Sequence, residues 1–190
     1  MTDTKIGFAL TGSFCTFSQV VPIIKELADL GADVTPIMSA NAYTTDTRFG
    51  TAESFINTIE DICGKKIIHT IKDAEPIGPR SMLDVMVIAP CTGNTLGKLA
   101  AGITDTSVTM AAKAHLRNLK PLVLAVSTND ALYTSAKSIG QLLAQKNINF
   151  VPMSQDAPLK KTNSVVAHFD QIPKTIENAL MGIQTQPLLA

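Results

Sequence analysis

The chain has 190 residues, of which 45% are hydrophobic and 17% are charged, a balance that suits one α/β or α+β domain with a hydrophobic core. Sixteen basic and sixteen acidic residues cancel and aromatic content is 5%, so neither nucleic acid nor an anionic membrane surface is expected as a partner. No apolar run reaches the roughly 20 residues of a membrane helix. Three widely spaced cysteines give neither a disulfide framework nor the spacing of a zinc site.

Apolar runs of strand length recur along the chain, and segments with helical spacing of apolar residues alternate with them. The predicted strands are Lys5–Thr11, Asp33–Ser39, Lys66–Ile71, Asp84–Pro90, Pro121–Ser127 and Ile148–Met153. The predicted helices are Ser18–Ala32, Thr51–Gly64, Thr95–Ala101, Thr106–Leu119, Ala131–Lys146 and Phe169–Met181.

This alternation predicts the α/β class: a doubly wound, Rossmann-like, six-stranded parallel sheet with helices on both faces. No repeat or linker divides the chain, so residues 1–190 are expected to form a single domain. Residues 155–162 are predicted to be a flexible loop, and residues 164–190 a C-terminal helix and tail.

Small polar residues follow almost every predicted strand, including Thr11–Thr16, Cys91–Thr95 and Ser127–Asp130. Ligands of open α/β sheets bind beyond the carboxyl ends of the strands. Hydroxyls, amides and backbone N–H groups there suit a phosphate and a polar heteroaromatic ring and do not suit a metal ion. Ser, Thr and Asn are also favoured helix N-caps, so capping explains any single strand exit equally well.

Three segments, "ALTGSFCTF", "MVIAPCTGNTLGKLAAGITDTSVTMAAKA" and "PLVLAVSTNDAL", resemble the flavoprotein superfamily that includes phosphopantothenoylcysteine decarboxylase and flavin prenyltransferase. The resemblance follows the order of motifs from about Lys5 to Met153 and rests on an Ala-Pro pair after a strand, an Asn-Thr pair and a Lys-Leu-Ala-x-Gly-Ile helix. Within the superfamily, the whole chain resembles the B subunits of a two-subunit enzyme of spore-forming bacteria.

That resemblance implies a role in the mother-cell cytoplasm during sporulation. The B subunit would act with an A subunit that has a nicotinamide-binding fold and supplies NAD(P). Together they would oxidise a small dicarboxylate, a dihydrodipicolinate-type intermediate, to dipicolinate. The resemblance also implies that this chain forms a homo-oligomer and contains an FMN-type pocket.

Carried over by position, the superfamily's flavin site falls on residues that follow the predicted strands or begin the next helix. The implied cofactor-binding residues are Gly12, Ser13, Phe14, Ser39, Pro90, Thr92, Asn94, Thr95, Ser107, Val108, Thr109, Ser127 and Thr128.

The sequence departs from both chemistries of the family. The decarboxylase has a catalytic His shortly before the fourth strand, where this chain has "AEPIGPRSMLD". The prenyltransferase arginine after strand five is replaced within Ser127–Leu132. Catalytic residues therefore stay unassigned, and two alternatives stay open: a non-catalytic binding or assembly subunit, and an FMN-dependent decarboxylase or transferase. Lys160 and Lys161 either close over an anionic ligand or form a solvated turn.

Overall fold

The computed structural model describes residues 1–189, and Ala190, the end of the predicted tail, lies outside the described residues. The strands are β1 (Lys5–Leu10), β2 (Asp33–Met38), β3 (Val85–Cys91), β4 (Leu122–Thr128), β5 (Ile148–Phe150), β6 (Met153–Ser154) and β7 (Val165–Ala167). The helices are α1 (Phe17–Asp29), α2 (Ala40–Thr44), α3 (Ala52–Cys63), α4 (Ile71–Ala74), α5 (Gly93–Ala100), α6 (Ser107–Leu116), α7 (Ala136–Leu143) and α8 (Ile172–Leu180).

Five strands form a parallel sheet in the order β2-β1-β3-β4-β5. The first half of β4 pairs with β5, whereas its last two residues, Ser127 and Thr128, pair antiparallel with β7. Strand β7 pairs antiparallel with β6. The predicted α/β class with a mostly parallel sheet flanked by helices is therefore confirmed, but within residues 1–189 the sheet has seven strands rather than six.

The predicted strand Lys66–Ile71 is wrong. Only Ile68 meets β2, in a single bridge to Ile37, where its N–H donates to the Pro36 carbonyl (2.9 Å) and its carbonyl accepts from the Met38 N–H (2.9 Å). The next bond of a parallel ladder needs an N–H at residue 36. Proline has none, so the ladder cannot extend toward Lys66. On the other side of Ile68 the chain starts α4, for which Thr70 is the N-cap.

The predicted strand Ile148–Met153 divides into β5 and β6. Val151 and Pro152 lie between them, and the Pro152 carbonyl accepts from the His168 N–H (2.8 Å). The chain therefore leaves the parallel sheet at this point and forms an antiparallel ribbon with β7 at the carboxyl end of β4. The prediction missed β7 because a three-residue strand gives almost no periodic signal.

The long helices form where predicted, with shorter ends. Thr51 caps α3 by accepting from the Ser54 N–H (3.2 Å), and Gly64 ends that helix with a φ of 61°, a left-handed conformation that favours glycine. The start of α7 is delayed to Ala136 because the Asp130 carbonyl accepts from the N–H groups of Tyr133 and Ser135 in a turn. No helix within residues 1–189 is long and apolar enough to cross a membrane.

The core lies on both sides of β1, β3 and β4, whose interior residues are buried. Helix α1 contributes one apolar face, Phe17, Val20, Ile23, Ile24 and Leu27. Helix α6 contributes small residues, Ala111, Ala112 and Ala114, all buried within this chain. Because each sheet face is covered, the polar strand ends are the remaining place for a ligand.

His115 on α6 is 1% exposed, and its Nε2 lies 2.9 Å from the Pro121 carbonyl oxygen, to which it donates. Burial lowers the pKa of His115, although the bond to Pro121 opposes the shift. The folded state therefore holds a neutral imidazole.

We expect the folded protein to lose stability as the pH falls below about 6.5, where the unfolded chain binds a proton that buried His115 resists. The contribution is present above that pH and changes by at most about 1.4 kcal/mol per pH unit. Urea unfolding between pH 8 and pH 5 should show a smaller loss for His115→Gln than for the unaltered protein. Equal losses would mean that His115 does not couple protonation to folding.

Candidate functional site

A cavity of about 970 Å³ lies at the carboxyl ends of β1, β3 and β4. Residues that follow these strands form two of its walls, and the start of α1 and the segment before β7 complete it. The lining residues are Gly12, Ser13, Cys15, Thr16, Gln19, Thr92, Gly93, Asn94, Ser127, Thr128, Asn129, Asp130, Asp156, Lys161, Ser164 and Val166.

A buried hydroxyl joins the ends of β1 and β3. Thr11, 1% exposed, donates from Oγ1 to the Pro90 carbonyl (2.7 Å) and accepts from the Thr92 N–H (3.1 Å). The Thr92 hydroxyl in turn caps α5 by accepting from the Thr95 N–H (3.4 Å). Thr92 is thus both an N-cap and a lining residue.

The ends of β1 and β4 meet through a pair of serines. Ser13 Oγ and Ser127 Oγ lie 2.8 Å apart and share a hydrogen bond, although 114 residues separate them in the sequence. A hydroxyl both donates and accepts, so this pair keeps hydrogen-bonding capacity for a ligand.

The negatively charged carboxylate of Asp130 is hydrogen-bonded by hydroxyl groups of its own loop. Its carboxylate accepts from Thr128 Oγ1 (2.6 Å), from Ser135 Oγ (2.9 Å) and from the Thr134 hydroxyl. Burial raises the pKa of Asp130, but the three hydroxyl bonds outweigh burial, so its pKa is lowered below the usual value. Asp130 is therefore ionised at neutral pH and organises the loop, which makes it a poor candidate for a general acid.

Gly93, the first residue of α5, lies directly against this loop. A Cβ atom at residue 93 would lie 2.5 Å from Ser135 Oγ, 2.7 Å from Asp130 Oδ1 and 2.8 Å from Thr128 Oγ1. Only a residue without a side chain fits there. The close approach brings the N-terminus of α5 to the Asp130 loop.

The third wall comes from the segment between β6 and β7. Lys161 Nζ donates to Asp156 Oδ2 at 2.7 Å, and both residues line the cavity. This ion pair lowers the pKa of Asp156 and raises the pKa of Lys161, so both groups are charged at neutral pH.

Six of the thirteen residues predicted to bind a cofactor line this cavity: Gly12, Ser13, Thr92, Asn94, Ser127 and Thr128. The other seven do not line it: Phe14, Ser39, Pro90, Thr95, Ser107, Val108 and Thr109. The structure therefore brings together the exits of β1, β3 and β4 around one cavity. The exit of β2 lies beside that of β1, where the Ser39 N–H donates to the Leu10 carbonyl (3.0 Å), but Ser39 does not line the cavity.

The residues outside the cavity have structural contacts of their own. Phe14 packs against Phe17 with ring centroids 5.4 Å apart. Ser39 caps α2 by accepting from the Ala42 N–H (3.3 Å), and Ser107 donates to the Met38 carbonyl. The side chain of Thr109 accepts from the Thr106 N–H (3.2 Å) as half of a capping box.

Pro90, Thr95 and Val108 are buried. The Thr95 hydroxyl lies 3.1 Å from the Thr92 hydroxyl. These three residues are buried and do not line the cavity.

Cys15 and Thr16 belong to the polar segment Thr11–Thr16 but were not among the predicted cofactor-binding residues. Sequence reasoning missed Gln19 on α1, Asp156, Ser164 and Val166 on β7. Asp156 lies inside the predicted loop 155–162, where only the two lysines had indicated a ligand contact, and Ser164 lies just after it. Cys91, which follows the same strand as Thr92, is fully buried and burial raises the pKa of its thiol, so it is a core residue. No three His, Cys, Asp or Glu side chains within residues 1–189 are grouped so that they could hold a metal ion.

A mostly parallel sheet flanked by helices, with a polar cavity at the carboxyl ends of its strands, defines the class of doubly wound α/β proteins. The chain belongs to the Flavoprotein family, whose model matches residues 1–181. It is 51% identical over 185 residues to the B subunit of dipicolinate synthase from Bacillus subtilis (strain 168), an alignment that covers 97% of this chain and 92% of that protein.

Solved structures agree with this assignment. The crystal structure of the dipicolinate synthase B subunit from Bacillus halodurans C superposes with a TM-score of 0.91 at 48% identity and covers 100% of this chain and 98% of that one. The FMN-dependent cysteine decarboxylase SpaF superposes with a TM-score of 0.68 over 94% of this chain and 95% of that one. At 21% identity, the second likeness concerns the fold alone.

We expect Gly93→Ala to destabilise the protein by about 1–3 kcal/mol, because the added methyl group forces the Asp130 loop away from α5. Gly97→Ala in the same helix is the matched control, since a Cβ atom there meets nothing within 4 Å. Alanine is the better helix former, so the control should be neutral or gain up to about 1 kcal/mol. Urea unfolding measures both values, and equal midpoints for the two variants would contradict the close approach.

Proposed function

We propose that this cavity holds an FMN-type flavin and that the chain is the B subunit of a dipicolinate-forming enzyme. The observation that carries the proposal is the convergence of hydroxyl and amide groups from three strand exits on one cavity. Such donors suit a phosphorylated sugar-like chain and a polar ring. The 51% identity to a dipicolinate synthase B subunit supports the assignment.

The chemistry of the lining residues fits a flavin. Ser13, Ser127 and Asn94 offer side-chain hydrogen bonds, and the start of α5 offers backbone N–H groups with the positive end of the helix dipole. A bound flavin supplies hydride or single-electron transfer. The chain's own residues bind and orient it, and Asp130 fixes the loop that follows β4.

The proposed reaction is the oxidation of a dihydrodipicolinate-type dicarboxylate to dipicolinate in the mother-cell cytoplasm of a sporulating bacterium. The A subunit of dipicolinate synthase is the proposed partner and supplies NAD(P). Self-association of this chain is part of the proposal. The small residues of α6 are buried within the chain itself, so another surface would have to supply the contact between copies.

A second candidate function is a non-catalytic binding or assembly subunit of the same enzyme. One observation favours it: no histidine lines the 970 Å³ cavity within the described part of the chain, and the carboxylates of Asp130 and Asp156 are both engaged by donors of the chain itself. The cavity thus offers no free acid/base pair for proton transfer. An FMN-dependent decarboxylase or transferase, the remaining alternative, has no such observation in its favour.

We expect protein purified with FMN to show the paired absorbance bands of a bound flavin between about 300 and 550 nm. Asn94→Ala should weaken flavin binding by about tenfold, because a ligand contact of about 1.4 kcal/mol is lost. Asn57→Ala is the matched control, since Asn57 is exposed on α3 and does not line the cavity. Titration of flavin-free protein with FMN measures all three affinities.

Dipicolinate formation with the A subunit should fall in parallel with flavin binding. A protein that takes up no FMN but is still required for dipicolinate formation would contradict the flavin proposal and support the assembly role. Flavin binding that Asn94→Ala and Asn57→Ala leave equally unchanged would show that the site lies elsewhere.

A further inference from the structure

The 970 Å³ cavity has only one cationic lining residue, Lys161, within the described part of the chain. Two carboxylates, Asp130 and Asp156, line the same cavity. An anionic ligand in this cavity is therefore attracted by one charge and repelled by two. Its affinity depends on how the chain's own hydrogen bonds and ion pairs engage each of the three groups.

The two carboxylates differ in how they are held. Asp130 accepts three hydrogen bonds from hydroxyl groups of its own loop. Asp156 is instead paired with Lys161 at 2.7 Å, and their side chains are 27% and 59% exposed. An ammonium group has three donors, so Lys161 can bond to Asp156 and still contact a ligand carboxylate in the cavity.

The backbone around Lys161 is fixed by hydrogen bonds. The N–H groups of Lys160 and Lys161 donate to the Ala157 carbonyl (3.0 and 2.7 Å), and Gln155 Nε2 donates to the Thr162 carbonyl (2.8 Å). Leu132 N–H donates to the Asn163 carbonyl (3.1 Å), which ties the segment to the loop that contains Asp130. Within residues 155–162, predicted to be a flexible loop, these bonds accompany an arrangement in which Lys161 lines the cavity, while neighbouring Lys160 does not.

We propose that Lys161 determines ligand specificity by pairing with a carboxylate of a small dicarboxylate substrate, while Asp156 holds the ammonium group in place and limits the affinity. This inference rests on the proposed function, because it places the substrate in the same cavity as the flavin. The dicarboxylate class comes from the proposed function, and the residues supply one ammonium group that can pair with a ligand carboxylate next to hydroxyl and amide donors.

The test is calorimetric titration of the full-length protein with pyridine-2,6-dicarboxylate at low ionic strength. Lys161→Met should weaken binding by about fivefold, as expected for one half-exposed ion pair. Lys160→Met, the adjacent control, should leave the affinity unchanged. Asp156→Asn should strengthen binding by about two- to fivefold, because it removes a negative charge from the cavity, and about 0.5 M salt should shrink these differences.

The opposite signs separate a charge effect from a structural one. If Asp156→Asn weakens binding as Lys161→Met does, the ion pair only holds the loop and the proposal is overturned. Unchanged affinity in Lys161→Met also overturns it. Parallel FMN titration of the same samples separates the two proposals. If Lys161→Met keeps both FMN binding and the dicarboxylate affinity of the unaltered protein, only the role of Lys161 is refuted. If the unaltered protein binds no FMN, the flavin site is refuted.

Discussion

The missing N–H of Pro90 sets the geometry on which the cavity depends. Between the pairs Ile88–Leu124 and Cys91–Val126, β3 contains one residue more than β4, so the ladder shifts at Pro90. The freed Pro90 carbonyl accepts from Thr11 Oγ1, which also accepts from the Thr92 N–H. One buried hydroxyl thus satisfies the polar groups that the shift exposes and holds the carboxyl ends of β1 and β3 together.

Helix capping and ligand binding are compatible uses of the same residues here. Thr92 caps α5 and lines the cavity, and Ser39 caps α2 without lining it. A cap hydroxyl accepts one backbone N–H and keeps its own proton to donate. Whether that proton can meet a ligand depends on the direction in which the helix starts, and this direction is set by packing on the sheet.

The charged groups of the cavity are held in two different ways. Asp130 is surrounded by the hydroxyls of Thr128, Thr134 and Ser135, so its ionisation is used to order the loop after β4. Asp156 and Lys161 neutralise each other at the opposite wall. Under the specificity proposal for Lys161, an anionic ligand shares this ammonium group with Asp156, and the segment between β6 and β7 then tunes binding.

The sequence by itself determined the α/β class, the long helices and the polar character of the exits from β1, β3 and β4, because those features depend on local periodicity and capping chemistry. The local pattern wrongly predicted a strand at Lys66–Ile71, because Pro36 on the facing strand lacks the N–H that would extend the pairing toward Lys66. Only the tertiary structure decided that Val165 and Val166 pair with Thr128 and Ser127, which are distant in the sequence. That pairing brings Asp156 and Lys161 to the cavity, and nothing in the local sequence encodes a contact made between strands so far apart in the chain.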